Sequence, residues 1–461
     1  MAGQTRQLRF SDAVFNRRGN LVFRAMLLVF GTALKFFFRR IETVNSEVVP
    51  EGTGVVFVLN HPNGLIDPAL IFFALPRRIS FLAKSTLFNV PVLSYLVKSA
   101  DALPIYRRVD AGADVSKNLS TFDAARDLLR RGGSIALFPE GISHNSPKLL
   151  PAKTGAARIA LGAASKHEDG RVDVKIVPVG LFYTSKTTFR SEALIHFGEP
   201  FAVKAIELEH DGEVPKDEVK ELTDQIEAAL RDVTLNAETE AELQTARIAE
   251  RIFAADSDVI DLSQRLLFLK NYVEDAENGK PDGQTRDLNV RIALFGEKVS
   301  YFGIEPEHLS LARLTPTLVA RQAFLQSWVL LLLLPVTIVG TLIHFPAYQA
   351  CKILAAIYSR HGADDIASTV KVLAGVVFMP LTWLVIAGVV YHFIGWQAAL
   401  ISLPLSFLSG YSALYSLEEI AELSGWGKAI WLYFLSRDKF LRLFAERRAL
   451  LDEIRSAAEA A

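Results

Sequence analysis

A single cysteine in 461 residues, Cys351, excludes an internal disulfide and any zinc site built from cysteines. Excess charge is missing as well. With 50 basic and 51 acidic residues the formal net charge is −1, so the chain has no global basic field of the kind a dedicated nucleic-acid binder carries. Any polyanion has to be met by a local site. Internal repeats and low-complexity tracts are absent, which excludes solenoids and propellers. Charge itself vanishes from two windows near the C-terminus: the 30 residues Gln322 to Cys351 and the 46 residues Val372 to Leu417 contain no Asp, Glu, Lys or Arg.

What is present starts with those windows. A helix needs about 20 apolar residues to cross hydrocarbon, so the second window can hold two spans joined by a turn near His392 to Trp396, the other reading of both windows being buried helices of a soluble protein. The first holds one segment, interrupted by Pro335, Gly340 and Pro346. Lys352, Arg360 and Lys371 behind it and Lys428, Arg437 and Lys439 further on favour a first segment that dips into the membrane and returns. At the N-terminus, Ala25 to Leu34 is mostly apolar, with Arg17, Arg18 and Arg24 before it and Lys35, Arg39 and Arg40 after it. Phe36 to Phe38 followed by two arginines make a poor signal-peptide cleavage region. The segment reads either as an interfacial membrane helix or as a helix packed on the domain that follows.

Half the residues are hydrophobic, which excludes a disordered polar chain. The fold class expected is an α/β domain, a helical connector and C-terminal transmembrane helices. Residues 1–40 form the N-terminal segment. Residues 41–205 alternate β-branched runs (Val55 to Leu59, Ile79 to Ala83, Ser134 to Phe138, Val174 to Val179, Ala193 to Phe197) with helical stretches, the pattern of an α/β domain. Residues 206–320 read as a charged helical connector, with helices at Lys216 to Asp232 and Glu238 to Ala254 and a polar break at Glu277 to Gly283. Residues 321–417 are membrane-embedded and 418–461 an amphipathic helical tail.

Four clusters in the α/β part could carry chemistry, and the first three end apolar strands. Asn60 to Pro68 follows Val55 to Leu59. Asp67 before Pro68 has the form of a helix start with Asp as N-cap, yet the short loop could also fold back so that its carboxylate holds one nitrogen of His61 while the other takes a proton. Lys84 and Arg107-Arg108 offer cations suited to one phosphate, or a solvated surface pair. Phe138-Pro139-Glu140-Gly141 is followed by Lys148 and Lys153 and by a small-residue helix opening at Thr154. Glu140 could bind the hydroxyls of a polyol or be a solvated loop carboxylate. Pro178-Val179 could shape a wall for an apolar chain or be an ordinary core strand with an edge proline. A metal reading of His61 and Asp67 lacks a third ligand.

Taken in order, these clusters resemble the four motifs of the glycerolipid acyltransferase family, which includes the lysophosphatidate acyltransferases. The resemblance covers residues 50 to 205. It implies that His61 deprotonates an acceptor hydroxyl attacking an acyl thioester, with Asp67 orienting His61. It also implies phosphate binding by Lys84, Arg107, Lys148 and Lys153, acceptor contacts from Glu140 and Gly141, and an acyl-chain wall at Pro178 and Val179. Five residues, Pro62 to Ile66, separate His from Asp where the family usually has four, and Ser143-His144 replaces its usual arginine. Both departures are similar to the fungal-type glycerol-3-phosphate and dihydroxyacetone-phosphate acyltransferases. The activity implied is acyl transfer from acyl-CoA or acyl-carrier protein to the sn-1 hydroxyl of glycerol 3-phosphate or dihydroxyacetone phosphate. It needs no metal or cofactor, and the catalytic domain would face the cytoplasm from a bacterial inner membrane or the endoplasmic reticulum. The alternatives are sn-2 acylation of 1-acylglycerol 3-phosphate and a non-catalytic lipid-binding scaffold.

Overall fold

The strand that delivers His61, β3 (Gly54–Leu59), is buried along its whole length. Its unbroken apolar sequence follows from two parallel neighbours and from core on both faces. The computed structural model describes residues 5–7, 21–75, 77–89, 91–107, 110, 112, 114–165, 173–209, 213–256, 261–278, 283–310, 316–358 and 364–460. Arg17, Arg18 and Arg108 lie outside them, as does most of the polar break at Glu277 to Gly283. The chain divides into two compact units: Met1–Asn236 with Ala355–Val372, and Ala237–Leu354 with Leu373–Ala461.

The first unit is built on one sheet. Its strands are β1 (Thr5–Gln7), β2 (Phe38–Val44), β3, β4 (Ser80–Lys84), β5 (Leu103–Ile105), β6 (Ser134–Leu137), β7 (Val174–Tyr183), β8 (Ser191–Phe197) and β9 (Phe201–Ala202). They run in the order β1-β2-β8-β7-β3-β6-β4-β5, with β9 beside β7. Strands β7, β3, β6, β4 and β5 are mutually parallel, so their carboxyl ends share one edge. That edge is where an open α/β sheet places its ligand crevice. It brings together His61 after β3, Lys84 at the end of β4, Arg107 after β5 and Glu140 after β6.

Alternate residues of each strand feed two cores. Val55, Phe57, Leu59, Val177 and Val179 face a layer with helices α1 (Leu21–Phe37) and α2 (Ile66–Ala74). Val56, Val58, Val174 and Ile176 face α4 (Asn118–Arg130), α5 (Gly155–Ala164) and α6 (Lys216–Val233), while α3 (Pro91–Ser99) precedes β5. Helix α6 sets Val219, Leu222, Ile226, Leu230 and Val233 into this second core. The α/β unit therefore runs on to Asn236, past the expected boundary at 205. Helix α1 packs Phe23, Leu27, Leu34 and Phe37 inward and exposes Leu21, Leu28 and Val29, so it has the packed face of one sequence reading and the apolar outer face of the other. The chain enters β2 at Phe38, before the expected domain start at 41.

Pro178 lies on an interior strand, not an edge. It is tolerated because the neighbour on that side is interrupted: β8 ends at Phe197, β9 starts at Phe201, and Gly198 N–H donates to the Pro178 carbonyl across the gap.

The second unit holds α7 (Glu240–Ala254), α8 (Leu262–Asn278), α9 (Gly283–Tyr301), α10 (Pro316–Tyr358), most of α11 (Asp364–Phe393), α12 (Trp396–Leu435) and α13 (Arg437–Ala460). The tail helix α13 packs Leu443, Leu450 and Ile454 against Ile252, Ile292 and Phe295 of α7 and α9. Among the described residues, α10, α11 and α12 contain the three segments long and apolar enough to cross a membrane, Trp328–Tyr358, Ala367–Phe393 and Trp396–Leu435. The turn at Ile394 and Gly395 falls where the sequence places it. The first window is one continuous helix, with no turn-back at its prolines: α10 continues through Pro335 and Pro346. Each proline removes one backbone hydrogen bond, and the other bonds carry the helix through. Within this bundle Trp383 Nε1–H donates to His344 Nε2 at 2.8 Å, and His344 Nδ1 donates to the Gly340 carbonyl at 2.8 Å.

Candidate active site

After β3 the chain turns through Pro62 to Leu65 into α2. Helix α2 begins at Ile66 with Leu65 as N-cap, so Asp67 sits in the first turn and is not the cap the sequence suggests. Its carboxylate points back along the loop instead. Asp67 Oδ2 accepts from His61 Nδ1 at 2.8 Å and from the Asn63 N–H at 2.8 Å, and Oδ1 accepts from the Tyr183 hydroxyl at 2.6 Å. Three donors compensate a carboxylate that is wholly buried. Burial first, then the Asp67 charge, push the Tyr183 phenol well above its usual range, which keeps it a donor.

An ionised Asp67 can only accept, so Nδ1 of His61 carries the hydrogen and the Nε2 lone pair is left for an incoming proton. The imidazole keeps 17% of its surface open. It lies flat on Phe138, with ring centroids 3.8 Å apart and planes at 11°. Ring, carboxylate and loop are fixed from several elements. Asn60 spans to β7, accepting from Leu181 N–H at 2.7 Å and donating to its carbonyl at 3.0 Å.

Glu140 has a different duty from the polyol contact expected of it. It is 3% exposed; Oε1 accepts the His61 N–H at 2.9 Å, and Oε2 accepts the Leu150 N–H at 2.9 Å and pairs with His144 Nε2. Burial demands such donors, and they fasten the His61 loop to the 141–150 loop. The His144 N–H donates in turn to the His61 carbonyl at 3.2 Å. Gly141 turns in the left-handed region, φ +75°, and a Cβ there would run into the Lys153 ammonium.

The cations gather beside this loop. Arg107 forks onto Asp110, Nε to Oδ2 at 3.1 Å and Nη2 to Oδ1 at 2.9 Å, while Nη1 donates to the Gly141 carbonyl at 2.9 Å. Lys84 Nζ is 3.2 Å from Asp110 Oδ1. The Arg107 guanidinium above all, with Lys84, holds the Asp110 carboxyl below its usual range against the opposing effect of burial. Two cations share one carboxylate, and Lys153 adds a third positive charge at Gly141. Lys148 is half-buried on the same loop, its N–H donating to Ser146 Oγ at 3.2 Å. Val179 is fully buried in the sheet and Pro178 is buried beside it, so neither presents an open wall.

The sequence reading missed Tyr183 and Asp110. Tyr183 closes an apolar strand 116 residues from Asp67, and no motif marks it. Asp110 was visible as the acid nearest Arg107 but lies in no strand or helix.

This sheet edge thus carries a carboxylate-held imidazole beside a cation cluster, the equipment that base-assisted chemistry on an anionic substrate uses. Residues 40–181 match the Acyltransferase family model. Glycerol-3-phosphate O-acyltransferase 1 of Saccharomyces cerevisiae is 29% identical over 269 residues, which is 56% of this chain and 35% of the yeast protein. Glycerol-3-phosphate O-acyltransferase 2 of the same yeast is 27% identical over 59% of this chain and 38% of its own length. The chain thus spans little more than a third of either relative. A chloroplastic 1-acyl-sn-glycerol-3-phosphate acyltransferase of Brassica napus is 26% identical over 32% of this chain and 38% of that protein. The crystal structure of the 1-acyl-sn-glycerophosphate acyltransferase PlsC from Thermotoga maritima aligns with 49% of this chain and 85% of its own, at 19% identity and a TM-score of 0.32.

Proposed function

We propose that the chain is a membrane-anchored O-acyltransferase that moves a fatty acyl group from acyl-CoA, or acyl-carrier protein, to the sn-1 hydroxyl of glycerol 3-phosphate or dihydroxyacetone phosphate. The observation that carries this reading is His61, held by Asp67 through Nδ1 with Nε2 open. The acceptor hydroxyl gives its proton to Nε2 as its oxygen bonds to the thioester carbonyl carbon. The tetrahedral intermediate then collapses, the carbon–sulfur bond breaks, and the departing thiolate takes the proton back from His61. The cycle returns the imidazole to its starting state and requires no metal or redox cofactor. Lys84, Arg107 and Lys153, with Lys148 on the adjoining loop, supply the positive charge for the acceptor phosphate. The three apolar helices would keep the site at the bilayer where a lipid product belongs, with the catalytic unit on the cytoplasmic face where acyl-CoA is found.

The names of the two yeast relatives favour the unacylated acceptor. The Brassica napus relative favours a second reading, sn-2 acylation of 1-acylglycerol 3-phosphate. One experiment separates them: the purified chain in lipid vesicles receives one acyl-CoA and, in turn, glycerol 3-phosphate, dihydroxyacetone phosphate or 1-acylglycerol 3-phosphate. Acylation of either unacylated acceptor is the expected result. Turnover of 1-acylglycerol 3-phosphate alone would replace this reading with the second, and no turnover with any acceptor would favour a non-catalytic lipid-binding scaffold.

A further inference from the structure

The first turns of α11 belong to the catalytic unit, although the helix goes on from Leu373 as an apolar segment of the other unit. Thr369, 4% exposed, accepts the Leu65 N–H on Oγ1 at 3.0 Å. Leu65 is one of the five residues between His61 and Asp67 and precedes the first turn of α2, where backbone N–H groups have no helical acceptor. Next to it Ser368, fully buried, donates to the Lys186 carbonyl, which also accepts from Asn63 Nδ2 at 3.5 Å. Lys371 Nζ donates to the Thr187 carbonyl at 2.7 Å, and Val372 joins the core that contains Ile66 and Leu70. A helix 304 residues downstream of Leu65 thus fixes the loop whose backbone sets the His61–Asp67 geometry.

We propose that Thr369 is a positioning residue for acyl transfer: its hydroxyl holds the Leu65 amide so that the loop keeps the imidazole and carboxylate in register, without itself touching substrate. The proposal rests on His61 being the base. Substituting the hydroxyl by a methyl of the same shape removes the acceptor and leaves a part-buried N–H without it, which loosens the loop rather than the substrate sites.

The test compares Thr369→Val, Thr369→Ser and His61→Ala in the full chain reconstituted in phospholipid vesicles, with Thr382→Val as control. Thr382 lies further along the same helix and donates only to the Phe378 carbonyl four residues back. Thr369→Val should lower kcat about tenfold with KM for acceptor and donor unchanged, and Thr369→Ser should restore it. Thr382→Val should match the parent. If Thr369→Val does not fold, Thr369→Cys, whose thiol is a poor acceptor, must show the same fall in kcat. Unchanged kcat in Thr369→Val, or a fall that Thr369→Ser does not rescue, would overturn the proposal. Full turnover in His61→Ala would instead overturn the reading of the base, whatever the Thr369 variants do.

Discussion

Tyr183 and His61 hold opposite oxygens of one carboxylate: the phenol donates to Asp67 Oδ1 at 2.6 Å while the imidazole Nδ1 faces Oδ2 at 2.8 Å. Removing the phenolic donor leaves Asp67 with one oxygen unpaired in a buried site. Tyr183→Phe should therefore keep its fold and lose about tenfold in kcat, read by steady-state turnover of folded protein. Parent activity would show that the phenol is packing alone.

His61→Ala should lower the chemical rate by at least about a hundredfold, the lower end of what a positioned base contributes. Expression and binding of the acyl donor should be unchanged. Asp67→Ala should retain more activity than His61→Ala, since the base survives without its orienting partner. Single-turnover measurements check both.

Arg107→Ala should raise KM for the phosphorylated acceptor more than for the acyl donor, because a charge-assisted contact is lost. It also releases the Gly141 carbonyl and leaves Asp110 to Lys84. Equal loss toward both substrates would mark Arg107 as a support of the Gly141 turn only.

Asp110 sets a pH dependence of stability whose sign follows from its depressed carboxyl. Its contribution is present above the ordinary value of 3.8 and is lost as pH falls through the lower folded value. The difference in thermal midpoint between the parent and Asp110→Asn should persist at about pH 6 and shrink toward about pH 3. A difference that grows on acidification would show that the ion pair with Arg107 is not what stabilises the folded chain.

The sheet and half of the site were legible because each chemical residue follows an apolar run that could only be a strand. Val55 to Leu59 announces β3, and what comes next in sequence, His61, has no other local duty. The helix start expected at Asp67 falls two residues late because Asp-Pro is also the signature of a capped helix; the carboxylate is claimed instead by His61, Asn63 and Tyr183. Glu140 reads as a polar loop residue until the fold surrounds it with amide donors. Helix α6 looked like part of a charged connector because its polar face dominates its composition, while its apolar stripe, Val219 to Val233, meets the sheet only in three dimensions. Tyr183 and Thr369 carry no local signal at all, since each acts through a partner more than a hundred residues away.

The bond between Leu65 and Thr369 also works as a parity check on the membrane. If the two groups meet at the membrane surface, the chain between them threads the bilayer an even number of times. Among the described residues Trp328–Tyr358 is the only candidate span between Leu65 and Thr369. At about 46 Å it is long enough to cross, and an even count would require it instead to lie along or obliquely within one leaflet. On that count the crossing pair would be α11 with α12, joined at Gly395. In a Cys351→Ser chain in sealed vesicles, an impermeant thiol reagent on the face away from the active site should label Tyr391→Cys and spare Tyr358→Cys. Labelling of Tyr358→Cys would make the count odd and break the bond on which it rests.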